Sequence, residues 1–166
     1  MKCVILVGHG TAPSDYPPEM VSELKRLEFS PHGRVSPRFA ELDRHIRLWP
    51  RTKKNDPYQD GLNAIARALT QRMENRPVLT AYNEFCAPSL EESFERAVRE
   101  GAGEITVVST MYTRGGIHSE EEIPRDLKIL QSRHPRVRVR YAWPMSLDAI
   151  SGFLSQEVAR AESSAG

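Results

Sequence analysis

Residues 2–10 read Lys2-Cys3-Val4-Ile5-Leu6-Val7-Gly8-His9-Gly10, a short apolar run that ends on a histidine held between two glycines. From Cys3 to Val7 the side chains are aliphatic, β-branched or small and apolar, with no polar interruption. A strand with one wet face alternates; an unbroken run such as this one belongs to a strand buried on both faces, as in a parallel sheet. The glycines flanking His9 allow a tight turn and close backbone approach at the strand's carboxyl end.

Three further strands follow from the same reading, at Pro77–Ala81-Tyr82, Glu104–Ser109 and Val137–Ala142. Helical patterns lie between them. Pro17-Pro18-Glu19 opens one through Met20, Leu24 and Leu27, with proline and an acid suited to a first turn. Asp56-Pro57 opens a second, in which Leu62, Ile65, Ala66 and Leu69 share a face that Met73 extends. Pro88-Ser89-Leu90-Glu91-Glu92 opens a third, carrying Phe94, Ala97 and Val98 and ending at Gly101-Ala102-Gly103. Ser119-x-x-Glu122 has the form of a capping box ahead of Ile123, Leu127 and Leu130. A last helix from Leu147 to about Arg160 presents Ile150, Leu154 and Val158.

Strands alternating with helices predict an α/β fold: a three-layer domain with a four-stranded parallel sheet, order 2-1-3-4, and helices on both faces. One domain is expected over 1–162, with an insertion at about 29–56, where periodicity weakens and Pro and Arg accumulate around a short helix at Ala40–Leu48. Residues 163–166, Ser-Ser-Ala-Gly, read as a disordered tail.

The bulk properties narrow the function classes. The 166 residues carry a formal charge of +1, which gives no electrostatic case for a nucleic-acid partner. No stretch is long enough to span a membrane, and the first apolar run is too short for a signal peptide. Cys3 and Cys86 stand far apart, outside any C-x-x-C pair, and fit a reducing cytoplasm.

Ligands of open α/β sheets bind beyond the carboxyl ends of the strands, at the point where the strand order reverses. Three groups fall there: His9 after the first strand, Glu84 after the second and His118 after the third. Two imidazoles and a carboxylate suit a divalent transition metal such as cobalt, nickel, iron or zinc, and the same groups relay protons near neutral pH. Each also has a plainer reading: a histidine that merely hydrogen-bonds at a strand end, or a glutamate that merely precedes a helix. Cys86 reads as a small buried hydrophobe, Glu120-Glu121-Glu122 as a solvated helix start, His134 as a cation near a helix C-terminus, and Arg34, Arg38, Arg44, Arg47 and Arg51 as solvated surface or, alternatively, contacts for substrate carboxylates. A histidine phosphatase would need Arg-His-Gly; here Gly8 precedes His9.

VILVGHGT, NEFCAPSLEES, EITVVSTMYTRGGIHSEEEIP and HPRVRVRYAWP, taken in order, resemble the sirohydrochlorin chelatases, the CbiX/SirB group of class II chelatases. The resemblance covers residues 1–20 and about 77–160. It implies a chelatase-like fold and insertion of cobalt, nickel or ferrous iron into sirohydrochlorin or a related tetrapyrrole, within cobalamin or siroheme biosynthesis. The metal is then a substrate, and no organic cofactor is expected. The family's histidines fall on His9 and His118, as metal-holding and catalytic residues, and its acid after the second strand on Glu84. Gly10, Thr11, Arg114, Gly115 and Gly116 are expected to contact the macrocycle. A homodimer would supply a second wall for so large a ligand. The departures mark a divergent member: HGTAPSD in place of the usual arginine-bearing turn, Ala87 before PSL, and Glu122 for the aspartate before Ile-Pro. A metal or tetrapyrrole delivery protein without turnover is the alternative.

Overall fold

The computed structural model describes residues 1–164. Four parallel strands, β1 (Lys2–Gly8), β2 (Val78–Tyr82), β3 (Glu104–Ser109) and β4 (Arg138–Tyr141), lie in the order β2-β1-β3-β4. β1 pairs with β2 from Val4↔Val78 to Gly8↔Tyr82 and with β3 from Lys2↔Glu104 to Val7↔Ser109. The opening apolar run is thus a central strand, flanked on both edges and covered on both faces, as its unbroken pattern requires.

Alternate residues of β1 serve opposite layers. Cys3, Ile5 and Val7 enter the larger core with Ile105 and Val107, beneath α4 (Leu90–Arg99) and α5 (Ile123–Arg133), which contribute Phe94, Ala97, Leu127 and Leu130. Leu6 faces the other way, onto Leu62 and Ala66 of α3 (Pro57–Arg72) with Tyr82 and Cys86. A third, smaller core joins α1 (Pro18–Glu28) to α2 (Pro37–Arg47) through Tyr16, Leu24, Leu42, Ile46 and Phe85.

Local chemistry explains the helix starts. The Asp56 carboxylate caps α3 by accepting from the Gln59 N–H, 2.9 Å away, with Pro57 next in line. Ser89 and Glu92 form a reciprocal capping box on α4. α2 begins three residues before the expected Ala40, because the Ser36 hydroxyl accepts from Phe39 N and Pro37 takes the first position.

Several expectations are corrected. Ser119 is not an N-cap. The chain is already helical at Ile117, and His118–Glu122 forms a π-helical turn running into α5; Ser119 is buried and donates to the Met111 carbonyl at 2.8 Å. Pro124, which lacks the N–H a regular ladder needs, stands just after this turn. In α3 the buried stripe is Leu62 and Ala66, while Ile65 faces solvent. The last helix, α6 (Leu147–Ser163), buries none of its side chains: Leu147, Phe153, Leu154 and Val158 are exposed. Ser163, placed in the expected tail, closes that helix, and residues 165–166 lie outside the described residues.

Candidate metal-binding site

The loops after β1 and β2 are zipped together by their backbones. Asn83 N donates to Gly8 O at 3.1 Å and Glu84 N to His9 O at 2.8 Å, which fixes the two side chains as neighbours. Gly10 makes this approach possible. Its φ is +95°, and a Cβ there would stand 2.0 Å from the Glu84 carbonyl oxygen. His9 N donates to the Tyr58 hydroxyl of α3 at 2.8 Å, tying the turn to the layer below. On the other side of the switch point, Thr110 N donates to Val7 O at 2.9 Å, and the Tyr141 hydroxyl donates to Ser119 O at 3.1 Å, seating the turn that bears His118.

His9, Glu84 and His118 consequently converge, each offering a ligand atom within 4.8 Å of the others. All three are half-buried. The imidazoles meet edge to face, 4.9 Å between centroids. His9 Nδ1 lies 2.8 Å from Gly10 O, an acceptor only, so Nδ1 carries the hydrogen and Nε2 keeps its lone pair. His118 Nδ1 is held by a Glu122 carboxylate oxygen at 2.7 Å, and its Nε2 points to Glu84 Oε1 at 3.5 Å. A carboxylate behind one ring nitrogen and a free lone pair on the other is the arrangement that orients a metal-binding histidine. Donor type, donor number and spacing all fit a divalent transition ion.

A second tier of charge surrounds these groups. Lys25 of α1 contacts Glu84 at 2.6 Å and Glu28 at 2.9 Å. Arg34 contacts Glu28 at 2.6 Å and Glu122 at 3.1 Å. Burial pushes the Glu122 carboxyl up, but the hydrogen bonds from His118 and Arg34 outweigh it and hold the group below the usual carboxylate range. Burial likewise disfavours the Lys25 ammonium, and its bonds to Glu84 and Glu28 reverse that and raise it. Glu122, read from sequence as part of a solvated acidic run, is therefore a partner of His118. The i,i+4 spacing that places it there was legible. Lys25 and Arg34 carried no such signal, since Glu84 and Glu122 are remote from them in sequence, and Glu28 joins the site only through those two cations.

Two of the five arginines are not solvated surface. Arg51 is nearly buried, pairs with buried Asp56 at 2.6 Å, and donates to the carbonyls of Thr11, Ile46 and Phe85. Arg47 donates to Cys86 O at 2.9 Å and Asn83 O at 2.7 Å. Both bind protein rather than presenting themselves to a ligand. Thr11 is also turned inward, its hydroxyl 3.3 Å from Asp56. Arg114, Gly115 and Gly116 lie in the exposed loop after β3, where Arg114 pairs with Glu120 at 3.0 Å. Cys86 is fully buried, as its reading as a small hydrophobe requires. His134 does more than meet a helix end: it bonds Glu95 at 2.8 Å.

A parallel α/β sheet with a His-Glu-His cluster at its switch point offers a divalent metal three ligand atoms on one edge of the fold. The sequence model of the CbiX family matches residues 52–159. The chain is 32% identical over 68 residues to the sirohydrochlorin ferrochelatase of Bacillus subtilis (strain 168), spanning 41% of this chain and 26% of that protein. It is 29% identical over 65 residues to the sirohydrochlorin ferrochelatase of Priestia megaterium, spanning 39% and 24%. The matches thus cover about a quarter of each curated relative. The crystal structure of a CbiX protein from Marinobacter aquaeolei VT8 superposes along the whole of both chains with a TM-score of 0.59 at 20% identity, a likeness of fold. The protein belongs to the CbiX/SirB sirohydrochlorin chelatase family, as a divergent member.

Proposed function

We propose that the protein inserts a divalent ion, cobalt, nickel or ferrous iron, into sirohydrochlorin or a related tetrapyrrole. The observation that carries this reading is the convergence of His9, Glu84 and His118 within 4.8 Å at the carboxyl edge of the sheet. Insertion exchanges one divalent ion for two pyrrole N–H protons, so a site must both deliver the metal and accept protons. His9 and His118 offer Nε2 lone pairs for the ion, and the same atoms serve as bases once the ion moves on. Glu84 adds a charged oxygen beside them. The exposed loop with Arg114, Gly115 and Gly116 supplies cationic and backbone donors for peripheral carboxylates. Gly10 and Thr11 act in this reading by shaping the turn beneath the macrocycle.

Residues 1–162 act as one domain in this proposal, with residues 29–56 as an addition that braces the site. A second copy of the chain is the partner that closes the other wall; the exposed apolar side chains of α6 support it. Among the described residues no helix is long and apolar enough to cross a membrane. Two free, buried cysteines suit a cytoplasmic protein.

The test is an absorbance assay of cobalt, nickel and ferrous insertion into sirohydrochlorin by wild type, His9→Ala and His118→Ala. Wild-type turnover with loss in both variants is the expected result. Unchanged rates in both would remove the site assignment. Metal binding without any insertion would identify a delivery protein instead.

A further inference from the structure

Six ionisable side chains close a ring around the site. Glu84 meets Lys25 at 2.6 Å, Lys25 meets Glu28 at 2.9 Å, and Glu28 meets Arg34 at 2.6 Å. Arg34 meets Glu122 at 3.1 Å, Glu122 meets His118 at 2.7 Å, and His118 returns to Glu84 at 3.5 Å. The two Glu84 oxygens have separate partners: Oε2 faces Lys25 and Oε1 faces His118.

We infer that Lys25 is the internal counter-cation of the metal site, holding Glu84 by its outer oxygen and keeping the site's grip on a divalent ion weak enough for transfer to a macrocycle. This rests on His9, Glu84 and His118 being the metal-holding group. Three carboxylates against two cations, Lys25 and Arg34, leave the ring one net negative charge, with the imidazoles neutral. Without Lys25 the same ring carries two, and a divalent ion is held harder. An ammonium in direct contact with a ligand carboxylate stands within a few ångströms of the ion, where repulsion in a partly wet site is worth about tenfold in affinity. An ion bound for four pyrrole nitrogens must also be released by the three side chains that first receive it. Lys25 favours that release, and its bond to Glu28 leaves it a partner while Glu84 turns to the ion. A further contact fixes the lysine in place, since its ammonium also lies 4.7 Å over the Phe85 ring, on the residue next to Glu84.

The experiment is a titration of the metal-free protein with Co2+, followed by visible absorption, in wild type, Lys25→Met, Lys25→Gln, Lys25→Arg and Glu28→Gln, with folding checked by circular dichroism. Lys25→Met and Lys25→Gln are expected to bind Co2+ about tenfold more tightly and to pass it to sirohydrochlorin more slowly. Lys25→Arg keeps the wild-type affinity, and Glu28→Gln binds more weakly. A lysine that merely props Glu84 in place predicts the opposite sign, so equal or weaker binding by folded Lys25→Met or Lys25→Gln overturns the inference. If neither lysine variant folds, unchanged affinity in Glu28→Gln overturns it. A wild type that binds no Co2+ overturns the metal-site reading itself, and this inference with it.

Discussion

The two rims of the site are built differently. The rim bearing His9 and Glu84 is cross-braced: Arg51 joins the carbonyls of Thr11, Ile46 and Phe85 to the buried Asp56 carboxylate, and Arg47 holds Asn83 and Cys86. The rim leading to His118 is open, with residues 112–117 all exposed. The His118 ring is held at its base by Glu122, and the turn that carries it is seated by the Ser119 and Tyr141 hydroxyls. In the proposed function a small ion and then a large flat ring enter the site, and the two walls suit those two guests. The braced rim would hold the ligand atoms in register, and the exposed rim would face the macrocycle.

The braced rim predicts large losses. Asp56→Ala strands the nearly buried Arg51 guanidinium and removes the α3 cap, and should cost about 3–5 kcal/mol in chemical denaturation. A loss below about 1 kcal/mol would show that the brace is ornamental. Arg47→Met leaves the Asn83 and Cys86 carbonyls without their donor and should cost about 1–3 kcal/mol, read the same way. Glu122→Ala should leave global stability little changed but weaken Co2+ binding about 10–100-fold, because His118 loses the group that orients it. The open rim predicts the smallest effect: Tyr112→Ala should stay within about 0.5 kcal/mol of wild-type stability. Native-state hydrogen exchange sharpens the contrast, since the amides of residues 112–117 should exchange well before those of residues 82–86. Equal protection of the two segments would break the comparison.

How far the sequence reached follows the same division. The strand order was legible because strands alternate with helices, which favours a doubly wound parallel sheet, and the unbroken apolar run suited its centre; His9, Glu84 and His118 could be found because each follows a strand at the same edge. The brace was not legible. Arg47 and Arg51 bind backbone carbonyls, which no residue type advertises, so the plainest reading of an arginine-rich segment was solvent. Lys25 meets Glu84 across a gap of 59 residues, set by the packing of α1. Periodicity marked an apolar face on α3 but could not choose between its edges, and Ile65 fell outside. In α6 the apolar residues recur as in a packed helix, yet among the described residues Ile150 is only partly covered and Leu147, Phe153, Leu154 and Val158 stay exposed. Ser119-x-x-Glu122 matched a capping box in letters only, because the chain was already helical when it arrived there.

In the proposed function His9, Glu84 and His118 together take up a divalent metal. Anomalous scattering at the cobalt edge from Co2+-soaked crystals tests it most directly. One strong peak is expected, bonded to both Nε2 atoms and to a Glu84 oxygen, at bond lengths of about 2.0–2.2 Å typical of such ligands. A peak bound elsewhere, with these three side chains still contacting one another and no cobalt among them, would contradict it.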